Sequence, residues 1–188
     1  MLKANCILNG CNNVLPEPMA VADRSGRAEL YLAAGNLGDH RLHATPGRVS
    51  RAVGVVRFDE YWGGRRLDFI KLDAQGGEAA ILIGATETIQ ANAGHLLALM
   101  ELSPALCRSA GHELGSVAAL LDGVDARAIS AMPGAAGAPG LLDRRAFSAL
   151  WHELLASEYD DANASLLLAF SNTGCEKLRA RLSGTGLP

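Results

Sequence analysis

The chain has 188 residues, 49% hydrophobic and 20% charged, with a formal net charge of −3, which allows one domain with a sizeable core but not two comfortable ones. Its basic residues are scattered, with only short pairs such as Arg65-Arg66 and Arg144-Arg145, so charge gives no case for nucleic acid or an anionic membrane as partner. No apolar stretch reaches the roughly 20 residues of a membrane span, and Asn5, Asn9, Asn12 and Asn13 interrupt the N-terminus too often for a signal peptide.

In chain order, "LKANCILN" (2–9) has helical spacing with Gly10 as a stop. "MAVA" (19–22), "DRSG" and "RAELYL" (27–32) read as strand, tight turn and strand. Residues 33–51, rich in Gly, Asn, His and Arg, read as an excursion loop, and "AVGVVRFDEYW" (52–62) as a further strand closed by "GGRR". "LDFIKLD" (67–73) is a short apolar run ending in a turn signal, the pattern of a strand buried on both faces. A helix is expected over 77–94 and a second buried strand over 95–102. Then come a short helix at 115–123, a strand at 125–130, a loop at 132–140, an amphipathic helix at 142–158 and a last strand at 164–170. Strands alternating with helices predict an α/β domain with a largely parallel sheet.

Two opposite charges inside an apolar run require a reason. Side chains alternate along a strand, so Phe69, Lys71 and Asp73 share one face, and Lys71 can reach Asp73 across about 6 to 7 Å of backbone. Asp73 ends its strand, and in open α/β sheets ligands gather beyond the carboxyl ends of the strands. The next buried strand ends similarly in Glu101; if the two are neighbours, both carboxylates lie at one edge. Such a pair could take a hydroxyl proton, hold a divalent cation or fix a polar substrate. Gly76 and Gly77 would admit substrate or backbone. In the purely architectural alternative, Asp73 caps the following helix, Glu78 sits in its first turn and Lys71 pairs with one of these acids. Cys6, Cys11, Cys107 and Cys175 show no spacing typical of zinc, so no metal site is assigned and free thiols in a reducing, cytoplasmic setting are expected.

The stretch "LDFIKLDAQGGEAAILIGA" resembles the FkbM family of S-adenosylmethionine-dependent methyltransferases. Asp68, Lys71, Asp73, Gln75, Gly76, Glu78, Gly84 and Ala85 carry the likeness. "LKANCILNGCNNV", "AVADRSGRAELYL", "GNLGDHRL", "VVRFDEYW" and "LLALMEL" are similar to other family segments in the same order, over roughly residues 2 to 105. The resemblance implies an α/β fold, a Rossmann-like class I methyltransferase sheet. By the same resemblance the sheet would be N-terminally truncated, because the first two strands, which supply the family's Gly-containing cofactor turn and ribose-binding acid, have no counterpart in these residues. Residues 1–171 would form this partial domain and 172–188 a C-terminal tail.

The resemblance further implies S-adenosylmethionine as cofactor and a small-molecule hydroxyl substrate, on a sugar or similar compound, as methyl acceptor. By match, Met19 and Ala20 would lie near the adenine after the third strand, and Asp73 between cofactor and substrate. Asp73 is cast as base or substrate anchor, Glu101 as a second anchor, and Lys71 as the group keeping Asp73 ionised. His40 and Asp39 of the "GDHRL" loop could flank the substrate. A homo-oligomer supplying strands in trans is possible. The alternative is a non-catalytic remnant, or a module that binds a partner by strand addition.

Overall fold

Turn chemistry and apolar spacing divide the chain into the elements of the computed structural model, which describes residues 2–124, 126–130, 149, 164–170 and 176. Helix α1 (Leu2–Leu8) buries none of its residues and stops before Gly10, which turns left-handed at φ 65. Strand β1 (Met19–Ala22) leads through a turn into β2 (Gly26–Tyr31), and an excursion loop pinned by a Tyr31–Arg41 bridge leads to β3 (Ser50–Arg57). These three form one sheet in the order β1-β3-β2, with β3 parallel to β1 and antiparallel to β2.

The expected strand over 52–62 in fact divides, because α2 (Phe58–Trp62) follows β3 directly. Phe58 and Trp62 stack at 5.5 Å, four residues apart on one helix face. Asp59 and Glu60 favour the helix N-terminus, and Gly63 closes it in the left-handed region.

Strand β4 (Phe69–Leu72) is followed by α3 (Glu78–Gly84) and α4 (Thr86–Asn92), where one helix was expected over 77–94. The break falls at Ala85, and two features account for it. A Cβ at Gly84 would collide with the Ala22 carbonyl of β1, so the end of α3 lies directly on that strand. Asp59 then accepts hydrogen bonds from the amides of Thr88 (2.8 Å) and Glu87 (3.2 Å), giving α4 an N-terminal cap from another element.

Strand β5 (Leu97–Leu102) precedes α5 (Pro104–Ser109), a helix the sequence reading did not include. Its signal was present: Ser103 caps the Leu106 amide and Pro104 occupies the first turn. Helix α6 (Leu114–Gly123), β6 (Arg127–Ser130) and β7 (Ala164–Ala169) complete the described elements. The second sheet has the order β4-β5-β7-β6; β4 and β5 are parallel, while β7 runs opposite to both β5 and β6. The architecture is thus α/β with two small mixed sheets rather than one largely parallel sheet. Apolar pattern marks a strand but not the direction of its neighbour.

The core gathers Leu82, Ile89, Met100, Leu102, Val117 and Phe170, all essentially buried between the helices and the β4–β5–β7 sheet; burying each such large side chain contributes about 1.5–3 kcal/mol. Helix α3 touches both β1 and β5 and so ties the sheets together. Strand β4 is not buried on both faces. Ile70 and Leu72 point to the core side, while Phe69 is 52% exposed and Lys71 faces solvent. Among the described residues β4 has a strand neighbour on one side only. The helix expected over 142–158, apart from Ala149, and the tail 172–188, apart from Glu176, lie outside the described residues.

Candidate functional site

The parallel register pairs Lys71 with Leu99 and Leu72 with Met100. Carried one residue further, it sets Asp73 beside Glu101 at the carboxyl ends of β4 and β5, as expected from the sequence. Lys71 Nζ donates to Asp73 Oδ2 at 2.8 Å, and Gln75 Nε2 donates to Asp73 Oδ1 at 2.9 Å. The Lys71 and Gln75 bonds hold the Asp73 carboxyl below its usual range against a smaller opposing effect of burial. Lys71 is pushed upward, first by Asp73 and more weakly by Glu101. The two side chains are 53% and 35% exposed, so the pair adds little to stability. Its consequence is a solvent-reachable carboxylate whose charged form Lys71 and Gln75 favour.

The turn after β4 is organised by Glu78, not by Asp73. Glu78 is only 2% exposed. Its Oε1 accepts from the Ala74 amide at 2.7 Å and its Oε2 from the Gly76 amide at 2.9 Å. Helix α3 begins at Gly77 without a side-chain cap, so of the architectural roles open to Asp73, pairing is realised and capping is not. Gln75 and Gly76 take left-handed φ values of 50 and 101. A Cβ at Gly76 would lie 2.8 Å from the Leu106 carbonyl; this glycine admits the backbone of α5 rather than a ligand. Behind the turn, Cys107 Sγ lies 3.7 Å from Glu78 Oε2, and burial followed by that carboxylate pushes the thiol up to about 12. It is inert packing.

The remaining candidates sit elsewhere. Met19 and Ala20 lie at the entering end of β1, paired with Gly54 and Val55, not after a strand. The residues leaving β1 are Ala22 and Asp23, because the strand starts four residues before the turn signal. His40 Nδ1 accepts the Ala33 amide at 3.1 Å and latches the excursion loop to the end of β2. Asp39 is held by both Arg41 (2.7 Å) and Arg48. His40 and Asp39 line neither of the two cavities described next.

A groove of about 350 Å³ runs along the free edge of β4, walled by Phe58, Trp62, Phe69 and Ile70 and ending at Lys71 and Asp73. A second cavity, of about 170 Å³, lies under the β1–β2 turn and includes Arg27, His43 and His112. Val21 lines both. Sequence reading passed over His43 and His112, which are 69 positions apart and carry no local motif. Among the described residues no cluster of His, Cys, Asp or Glu is arranged to hold a metal ion, and no helix is long and apolar enough to cross a membrane.

A charged carboxylate at a strand end thus lies beside a concave apolar groove, the place where α/β sheets commonly put their ligand sites. The comparison with known families is specific: the Methyltransferase FkbM domain matches residues 3–105, more than half of the 188. The chain belongs to the FkbM methyltransferase family. The match runs from α1 into α5 and contains Lys71, Asp73, Glu78 and Glu101. Searches of curated proteins and of solved structures found no match.

Proposed function

We propose that the chain is an S-adenosylmethionine-dependent O-methyltransferase acting on a hydroxyl of a sugar or another small molecule, with a Rossmann-like class I ancestry. The observation that carries this reading is the Lys71–Asp73–Gln75 cluster beside Glu101, inside the segment that matches the family. Asp73 holds the acceptor hydroxyl, Lys71 and Gln75 orient its carboxylate and keep it ionised, and Glu101 is a second anchor. A carboxylate of lowered basicity takes protons weakly, which favours the anchor role over that of general base.

The groove along β4 suits the cofactor in size and character. Its volume is about 350 Å³, within the range of ligand pockets, and Phe58 and Trp62 offer apolar faces to a base while Asp73, at its end, is left for the acceptor hydroxyl. Gly76 and Gly77 are not part of this fit, since Leu106 and Ala74 oxygens fill the space in front of them. When bound, S-adenosylmethionine supplies a methyl group on a positively charged sulfur. The chain's residues align the acceptor.

Asp73→Asn is expected to lower transfer of labelled methyl to an accepted hydroxyl compound by about 10²-fold, with binding of S-adenosylhomocysteine retained. Equal turnover by the variant would remove Asp73 from the mechanism.

A second reading is favoured by the free edge of β4. An apolar groove beside an unpaired strand also accepts an added strand, from a partner or from another copy of the chain. In that case the same residues serve binding, not catalysis. Cytoplasmic location fits either reading, with Cys6, Cys11 and Cys107 present as free thiols.

A further inference from the structure

The cavity under the β1–β2 turn differs in chemistry from the groove. Arg24, Arg27, His43 and His112 converge on it from three separate parts of the chain, opposed by Asp23 alone. Arg24 reaches Asp23 only at 3.8 Å. Among the described residues the side chains of Arg27, His43 and His112 enter no hydrogen bond or ion pair, although the His43 carbonyl accepts from Thr45 and the His112 amide donates to Cys107. Directly behind His43, Arg41 and Arg48 share the single carboxylate of Asp39, which leaves that trio with an excess positive charge. The chain as a whole carries −3, so this concentration of basic side chains runs against its overall balance. Arg24 and Arg27 are exposed and His43 and His112 half-buried, so their donors are reachable by an anion that enters the cavity.

We propose that this cavity is an anion subsite that takes a carboxylate, sulfate or phosphate group of a small ligand. The methyl acceptor is then an acidic or phosphorylated hydroxyl compound, an extension that rests on the methyltransferase reading, whereas the subsite itself does not. At about 170 Å³ the space far exceeds the roughly 10–15 Å³ a single water requires. Val21 is common to both cavities, which places the anion subsite next to the Asp73 groove. Burial first, then Arg41, His112 and Arg48, hold the His43 imidazole below its ordinary value, with Asp39 opposing them. A bound anion reverses that balance and draws a proton onto the ring, so affinity rises as pH falls.

The test is calorimetric titration of the full chain with glucuronate, inorganic sulfate and glucose at pH 6 and pH 8, where the charges of these probes do not change. Glucuronate should bind at least about tenfold more tightly than glucose, and more tightly at pH 6 than at pH 8. Arg27→Ala and His43→Ala should each weaken glucuronate by about tenfold while leaving the far-ultraviolet circular dichroism unchanged. Glucose binding equal to glucuronate, anion binding indifferent to both substitutions, or no anion binding by the folded chain would each overturn the proposal. Failure of methyl transfer with anion binding intact would instead count against the methyltransferase reading alone.

Discussion

The two cavities stand on either side of the turn between β4 and α3, and they are built from opposite materials. The groove along β4 is walled by aromatic and aliphatic side chains with a single ion pair at its end. The cavity under the β1–β2 turn gathers the basic side chains Arg24, Arg27, His43 and His112 around a single acid, Asp23. Apolar walls give binding area without orientation, while a few charged groups give orientation without area. A ligand touching both would gain each property from a different cavity. The divider between them is the Glu78-bound turn, whose carboxylate is fully engaged by backbone amides, unlike the exposed Asp73 five residues earlier.

Removing the divider should have the largest effect. Glu78→Ala leaves the Ala74 and Gly76 amides without their acceptor in a buried turn and should cost about 2–6 kcal/mol in urea denaturation, from two orphaned donors at about 1–3 kcal/mol each. A loss below about 1 kcal/mol would mean that water replaces the carboxylate and that the divider is not rigid. Gly76→Ala comes next, at about 2–4 kcal/mol, because it combines a left-handed φ with overlap on the Leu106 carbonyl.

Asp59→Ala should cost about 1–2 kcal/mol through loss of the α4 cap. Burial works to raise the Asp59 carboxyl, but the Thr88 and Glu87 amides and Arg57 outweigh it and hold the value below normal. Its contribution is therefore present above the unfolded-state value near 3.8 and is lost as pH falls through the lower folded-state value. Acid unfolding of the Ala variant should accordingly show a shallower pH dependence in that window.

The smallest effects on stability, and the sharpest on the comparison, come from the charges that line each cavity. Lys71→Met should leave the melting temperature nearly unchanged and raise the Asp73 carboxyl, visible by carboxyl carbon NMR, without altering glucuronate affinity. Arg27→Ala should do the converse, weakening the anion and leaving the Asp73 titration where it was. If either substitution moved both readouts, the two cavities would be one site.

Much of this was legible in the chain itself. The strands at 19–22, 69–72 and 97–102, and the meeting of Asp73 with Glu101, follow from apolar runs ending in acids. The break between α3 and α4 was not legible, because it depends on Asp59 and on the Ala22 carbonyl, groups far away in sequence that a helical pattern cannot report. Glu78 carried a readable signal, an acid two residues after Gly76, yet its reach back to two amides depends on the left-handed turn at Gln75. The basic cavity was invisible for a simpler reason: Arg27, His43 and His112 become neighbours only after β2, the excursion loop and the connection between α5 and α6 are placed.

The central claim is that this chain binds the methyl donor of its family in the groove beside Asp73. Calorimetric titration of the folded chain with S-adenosylhomocysteine tests it most directly. Binding in the micromolar range, weakened by Trp62→Ala in the groove wall and retained in Asp73→Asn, is the predicted result. No binding by a cooperatively folded chain would contradict it, and would leave the free edge of β4 as an acceptor for another strand.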